Sequence, residues 1–277
     1  MADWRPMLIR RNDGFPRIMG VLNLTPDSFH GASRVNSTDS AVSRAVAMVE
    51  EGADWIDIGG ESTRPGAASV AADEELARVV PVVSAVREAL PETCISIDTR
   101  RAAVALKALD AGADMVNDVS ALSDPEMPSL IAEQGCPVCL MHMQGTPGNM
   151  QDAPSYRDVV DDVRSSLGEA VSALEDLGVA PNKIIGDPGI GFGKALEHNL
   201  SLLSSGRGVI PDDSMSLMWG VSRKSMFAHL LGRESTDDRL AGTLGVAAKA
   251  KEKGVDIIRV HDVAEHADLF AAMGALR

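Results

Sequence analysis

The chain has 277 residues, 45% of them apolar, enough to bury one large core, and it is read as one domain over residues 1–277. A formal net charge of −14 argues against nucleic acid, which needs a basic footprint, and means that any anionic small substrate must meet a local basic pocket. No apolar run approaches transmembrane length, and the opening MADWRPMLIRRNDG is too short in apolar residues for a signal-peptide core, so a soluble cytoplasmic protein without a membrane partner is expected.

In chain order, the first strand is RIMGVLNL (17–24), with Asn23 near its end. A helix follows in TDSAVSRAVAMVEEG (38–52), with Thr38 or Asp39 as N-cap and Gly52 as its stop. WIDIGG (55–60) is the second strand; it carries Asp57 and leads into ESTRPGA. CISIDT, the third, ends in Asp98, and after the helix RAAVALKALDAG (101–112) the fourth, MVNDVS, holds Asn117. PVCLMHM is the fifth. It contains half of a C-x-x-C (Cys136, Cys139) with His142 nearby, but residues three apart on a strand face opposite ways and cannot share a metal, and three cysteines make no disulfide framework. KIIGDP is the sixth strand, with Asp187. SLMWGVS, the seventh, runs into SRKS, and AGTLGVAAKAKEKG (241–254) is the helix before IIRVHD, the eighth, where alternation puts Arg259 and His261 on one face.

Three stretches resemble one another: EGADWIDIGG, AGADMVNDVS and KGVDIIRVHD. Each joins a helix, a glycine stop and a short buried strand of the near-continuous apolar kind found in parallel sheets. Eight such strands alternating with helices predict an α/β fold, a (β/α)8 TIM barrel with its active site at the C-terminal ends of the strands. An open doubly wound sheet is the runner-up. NLTPDSF stands where its phosphate-binding glycine fingerprint belongs, which favours the barrel.

A single Asp or Asn at a strand end is most simply a turn cap. In a barrel, however, the strand ends converge on one mouth, and two groups gather there: Asp98, Asn117 and Asp187, suited to a flat heterocycle with N–H donors, and Arg64, Arg223, Lys224, Arg259 and His261, suited to phosphate. IIGDPGIGFGK (184–194) is not a nucleotide loop. A P-loop would need glycine at Pro188 and a hydroxyl at Ala195. Its glycines are read as turning the chain at the strand end, and Lys194 as structural or solvent-facing.

Together MGVLNLTPDSF, IDIGGESTRPGA, ISIDT, NDVSAL, PVCLMHMQGTP, DPGIGFGK, SRKSM and IIRVHDV, in this order over residues 19–263, resemble the dihydropteroate synthase family. The resemblance implies a folate-synthesis transferase that condenses para-aminobenzoate with 6-hydroxymethyl-7,8-dihydropterin pyrophosphate, with Mg²⁺ and as a homodimer. It implies pterin binding by Asp98, Asn117, Met141, Asp187 and Lys224, pyrophosphate binding by Asn23, Thr63, Arg259 and His261, and Mg²⁺ at Asn23. It implies an aminobenzoate site at Phe29, Thr63, Arg64, Pro65, Phe192 and Ser225, with Ser225 opening the helix after the seventh strand. Asn23, Lys224, Arg259 and His261 are then the catalytic set. The chain departs from the family in His30-Gly31-Ala32-Ser33-Arg34 after TPDSF, and in Ile190, where an aromatic is common. A pterin-dependent methyltransferase would share Asp98, Asn117 and Asp187 but has no need of STRP or RVH, and a non-catalytic pterin-binding paralogue would be marked by loss of Asn23, Lys224, Arg259 or His261. With its cysteines buried and the SRKS serine lacking a matched base, the sequence predicts an SN1-like substitution without a covalent intermediate. The TPDSF and STRPGA loops are expected to close over pyrophosphate before aminobenzoate binds.

Overall fold

The computed structural model describes residues 4–24, 34–62, 70–146 and 148–276. Phe29, Thr63, Arg64 and Pro65, and with them most of the two loops expected to close, lie outside the described residues. Eight parallel strands form a closed barrel in sequence order: β1 (Arg17–Asn23), β2 (Trp55–Gly59), β3 (Cys94–Asp98), β4 (Met115–Asp118), β5 (Val138–Met141), β6 (Ile184–Asp187), β7 (Ser216–Trp219) and β8 (Ile257–Val260). Pairing of β1 with β8, Met19 opposite Arg259, closes the ring and rules out the open sheet. Around it run α1 (Arg34–Glu50), α2 (Ala72–Ala89), α3 (Ala102–Asp110), α4 (Met127–Gln134), α5 (Val159–Glu175), α6 (Leu196–Ser205), α7 (Met226–Leu231), α8 (Leu240–Ala247) and α9 (Val263–Ala275).

Two helix boundaries differ from expectation. α1 starts at Arg34, so Thr38 and Asp39 lie inside the helix and neither caps it. The buried face of Ala41, Ala45 and Met48 fixes the helix, which extends one turn upstream of the residues that looked like its start. α8 ends at Ala247, and the chain reaches Gly254 through turns. Gly242 and Gly245 weaken this helix, and Gly242 is needed because a Cβ there would lie 2.6 Å from the Phe227 ring.

Alternation along the strands separates two cores. Met19, Trp55, Cys94, Met115, Cys139, Ile185, Met218 and Ile257 fill the lower barrel, and Leu8 plugs it from below. The Trp55 indole donates to the Met7 carbonyl at 3.0 Å, holding that plug. The outer faces of the strands pack with the helices in the larger core. Cys136 belongs to the outer core and Cys139 to the inner one, as the strand parity required. Burial pushes the Cys136 thiol up to about 11 and that of Cys139 well above its ordinary value.

The repeated Gly-x-Asp has a structural reason. Gly52 and Gly112 take φ of +107° and +114° just past the ends of α1 and α3, and Gly254, at +72°, closes the turns that follow α8. Two residues later the carboxylate accepts from the backbone of the neighbouring strand: Asp54 from Ile18 N (2.8 Å), Asp114 from Ile95 N (2.8 Å) and Asp256 from Leu217 N (2.9 Å). Each is also paired with arginine: Asp54 with Arg11 and Arg17, Asp114 with Arg87, Asp256 with Arg207 and Arg10. The repeat therefore fastens the bottom of the barrel.

Candidate active site

At the upper end the inward positions turn polar. Strand register sets Asn23 opposite Gly59, Gly59 opposite Asp98, and Asp98 opposite Asn117, so one rung carries three of the expected site residues. A second rung sets Met141 opposite Asp187. One level lower, Arg259 reaches inward from β8. Its Nε donates to Asp57 Oδ2 and its Nη2 to Asp98 Oδ2, both at 2.6 Å. Asp57 Oδ2 also accepts from Asn117 Nδ2 at 3.3 Å. Asp57, named in the sequence only as a strand residue, is thus the hub that sequence reasoning missed.

The charges are unequal to one another. Burial raises the Asp98 carboxyl to about 7; Arg259 opposes that shift, while Asp57 adds to it, because one guanidinium faces two carboxylates. Burial alone would lower the Arg259 pKa, but Asp57 and Asp98 outweigh it and hold the guanidinium charged. Burial also raises Asp187, against a hydrogen bond from Gly189 N to its Oδ1 at 2.7 Å. Burial lowers Lys224 to about 8, with Asp187 opposing. The Lys224 ammonium sits 3.9 Å from the centre of the Phe192 ring.

The β6 loop owes its path to its glycines. Gly189 (φ +67°) lies so close to β5 that a Cβ would stand 1.9 Å from the His142 carbonyl oxygen, and at Gly193 (φ +63°) one would stand 2.5 Å from that of Gln144. This sets the Phe192 ring against the Lys224 ammonium, and Ile190 packs in the core at 1% exposure. Lys194 is not solvent-facing. It is 3% exposed, and its ammonium meets His142 Nδ1 at 3.0 Å and donates to the carbonyls of Phe192 (2.9 Å) and His142 (3.3 Å). Three acceptors at the junction of two loops draw it inward. Burial lowers its pKa to about 7 and that of His142 to about 3.

Two further expectations need correcting. Arg223 does not line the phosphate group of residues. Its Nε and Nη2 grip Asp262 at 2.9 and 2.7 Å, tying the β7 loop to the end of β8, at a backbone φ of +54° that the ion pair offsets. Second, Ser222 of SRKS does have an imidazole beside it, since its Oγ lies 2.9 Å from His261 Nδ1. The same Oγ accepts from His261 N at 3.2 Å. At 8% exposure, Ser222 serves to aim the His261 ring. Ser225 does open α7, but that helix has six residues and the serine side chain makes no cap hydrogen bond, so little helix dipole is available to an anion.

Chemically, the mouth offers acceptors with unused capacity. Asn117 Oδ1 is buried without a partner, and Asp187 Oδ2 has none among the described residues. Donors stand at Lys224, Arg259 and His261, and the Met141 side chain is apolar. A barrel with this mouth is a small-molecule enzyme that takes a flat heterocycle rich in N–H donors, with cations for an attached anion. The family model described as "Pterin binding enzyme" matches residues 19–261, and the chain belongs to that family. The dihydropteroate synthase of Escherichia coli (strain K12) is 46% identical over 250 residues, 90% of this chain and 88% of that protein. The fold matches the dihydropteroate synthase of Yersinia pestis in a sulfonamide drug complex with a TM-score of 0.88, at 42% identity and covering 96% of each chain. It also matches that of Xanthomonas albilineans in complex with 7,8-dihydropteroate, with a TM-score of 0.85, 36% identity, and coverage of 96% of this chain and 95% of that one.

Proposed function

We propose that this chain is a dihydropteroate synthase, a transferase that joins para-aminobenzoate to 6-hydroxymethyl-7,8-dihydropterin pyrophosphate, giving 7,8-dihydropteroate and pyrophosphate in folate biosynthesis. The observation that carries the reading is the pair of unfilled acceptors, Asn117 Oδ1 and Asp187 Oδ2, on a mouth that also holds the Lys224 ammonium. Ring N–H groups of a pterin supply the missing donors, and Lys224 donates to its oxo oxygen. Asp98 and Met141 border the same ring, and Phe192 and Ser225 border the amine. The methyltransferase and non-catalytic alternatives are not favoured.

The leaving pyrophosphate gathers negative charge, and we assign its reception to Asn23, Arg259 and His261. Among the described residues no cluster of three His, Cys, Asp or Glu side chains could cage a metal. A Mg²⁺ in this site would be held by the Asn23 amide oxygen, substrate phosphate oxygens and waters, an all-oxygen set in which water and substrate supply most of the ligands, as suits this ion. Bound there, it would neutralise charge on the leaving group. Among the described residues, burial pushes up the Cys136 and Cys139 thiols and Ser222 is engaged with His261, so none of these three is a ready nucleophile for the methylene carbon. An aromatic amine is neutral near pH 7 and needs no strong base. We therefore read the substitution as SN1-like, with positive charge carried by the dihydropterin as pyrophosphate departs.

A homodimer in the cytoplasm completes the reading. Leu200 on α6 and Leu230 and Leu231 on α7 are exposed apolar side chains on adjacent helices, and sedimentation at micromolar concentration tests whether a second copy covers them. No described helix is long and apolar enough to cross a membrane. The deciding assay is pyrophosphate release from the two substrates with and without Mg²⁺. Release that needs both substrates and the ion is expected; absence of dihydropteroate would overturn the assignment.

A further inference from the structure

Asp57 is fully buried, yet among the described residues it is the side chain that hydrogen-bonds both Asn117, of the heterocycle group, and Arg259, of the anion grip. Its Oδ2 receives two donors, Arg259 Nε at 2.6 Å and Asn117 Nδ2 at 3.3 Å, and its Oδ1 is buried without a partner. With no exposed surface, it cannot itself contact a ligand. We propose that Asp57 is a positioning residue whose single carboxylate oxygen decides which end of the Asn117 amide faces the mouth and where the Arg259 guanidinium lies.

A carboxylate that takes a guanidinium N–H only accepts, so the Asn117 amide must turn its NH₂ toward it. The carbonyl end is then the end left over, and it is the buried oxygen without a partner. A flipped amide would set oxygen against carboxylate oxygen on one side and N–H against ring N–H on the other. The same oxygen pins Arg259 at Nε while Asp98 pins Nη2, so the guanidinium plane is fixed at two corners from two strands. Nη1 has no hydrogen-bond partner among the described residues and is the corner left for an anion. Nothing else among the described residues hydrogen-bonds Asn117 Nδ2.

This inference rests on the pterin reading above, and its test separates the two. Asp57→Ala removes both contacts. Asp57→Asn keeps one carbonyl oxygen, which the Arg259 Nε donor holds in place for Asn117. Dissociation constants for 6-hydroxymethylpterin, without phosphate, are measured by calorimetry, alongside kcat and KM for the pyrophosphorylated substrate, on variants shown to be folded by circular dichroism. Asp57→Ala should weaken bare-pterin binding by about tenfold or more, and Asp57→Asn by less than about threefold. Should Asp57→Ala fail to fold, Asp57→Ser replaces it, its hydroxyl being too short to meet both donors. A folded truncation that binds bare pterin as the wild type does overturns the inference, and so does an Asp57→Asn protein as weak as the truncation. A wild-type protein that binds no bare pterin overturns the functional reading instead.

Discussion

Arg259→Ala should destabilise the fold as well as slow the reaction. The Arg259 side chain is paired at 2.6 Å with Asp57, which is 0% exposed, and at 2.6 Å with Asp98, which is 8% exposed. Removing the cation leaves two buried carboxylates without their counter-charge, and breaking such a pair from one side costs about 3–5 kcal/mol. Lysine at this position has one ammonium and no fork, so Arg259→Lys should recover only part of the loss. The pH dependence has a definite sign. Asp98 is held at about 7 in the fold against 3.8 for an ordinary aspartate, so between these values the folded chain binds more protons than the unfolded one. Stability then falls as pH rises through that window, and it falls further in Arg259→Ala, where the main charge that opposes the raised pKa is gone. Urea denaturation at pH 5 and pH 8 reads both effects. A loss below about 1 kcal/mol at pH 8, or a loss larger at pH 5 than at pH 8, would refute the argument.

Asp187→Asn puts an N–H donor among ring donors and should weaken bare-pterin binding by about tenfold or more in calorimetry; unchanged affinity removes Asp187 from the heterocycle site. Gly189→Ala needs a Cβ 1.9 Å from a carbonyl oxygen at φ +67°, so its melting curve should show a loss above about 2 kcal/mol, with catalytic activity falling as Phe192 shifts. Lys194 is held at about 7 by burial, so above that pH the folded chain carries it neutral while the unfolded chain keeps the proton up to the ordinary lysine range. Stability should therefore rise with pH above 7, and Lys194→Met should flatten that rise in denaturation measured between pH 7 and 10.

Much of this site was legible because barrel strands obey a simple parity. Arg259 faces inward from β8, and the strand-end residues Asn23, Asp98, Asn117 and Asp187 fall on neighbouring rungs without any knowledge of packing. The same parity separated Cys136 from Cys139. What failed was reading partners from residue type. Arg223 and Arg259 look alike in sequence, yet one closes on Asp262 and the other on Asp57 and Asp98, because the residue across the barrel is set by register and not by chain distance. For Lys194 the structure selects the structural of the two readings: its acceptors are the His142 ring nitrogen and the backbone carbonyls of His142 and Phe192, which no side-chain pattern displays. The Ser222–His261 contact joins two loops 39 residues apart and depends on strands β7 and β8 being adjacent.

The barrel uses aspartate at both ends of its strands, and the contrast between the ends explains where chemistry is available. At the bottom, Asp54, Asp114 and Asp256 each receive a backbone N–H of a neighbouring strand and at least one arginine, so their charge is committed to holding register. At the top, Asp57 and Asp98 share a single arginine, and among the described residues Asp187 has one backbone donor to its carboxylate and no ion pair. A carboxylate with fewer donors than it can accept is a cost to the folded state, and the cost is relieved when a ligand brings donors of its own. Among the described residues, Asn117 Oδ1 and Asp187 Oδ2 are the upper-rung acceptors left without a partner that the site reading uses. Adding a fixed donor there, as at Gly220, where a Cβ would lie 3.5 Å from Asp187 Oδ2, would steady the empty barrel and occupy the place that the ring N–H groups need. Stability at the bottom and binding at the top thus rest on one residue type, and the number of donors the fold supplies to each decides which role it takes.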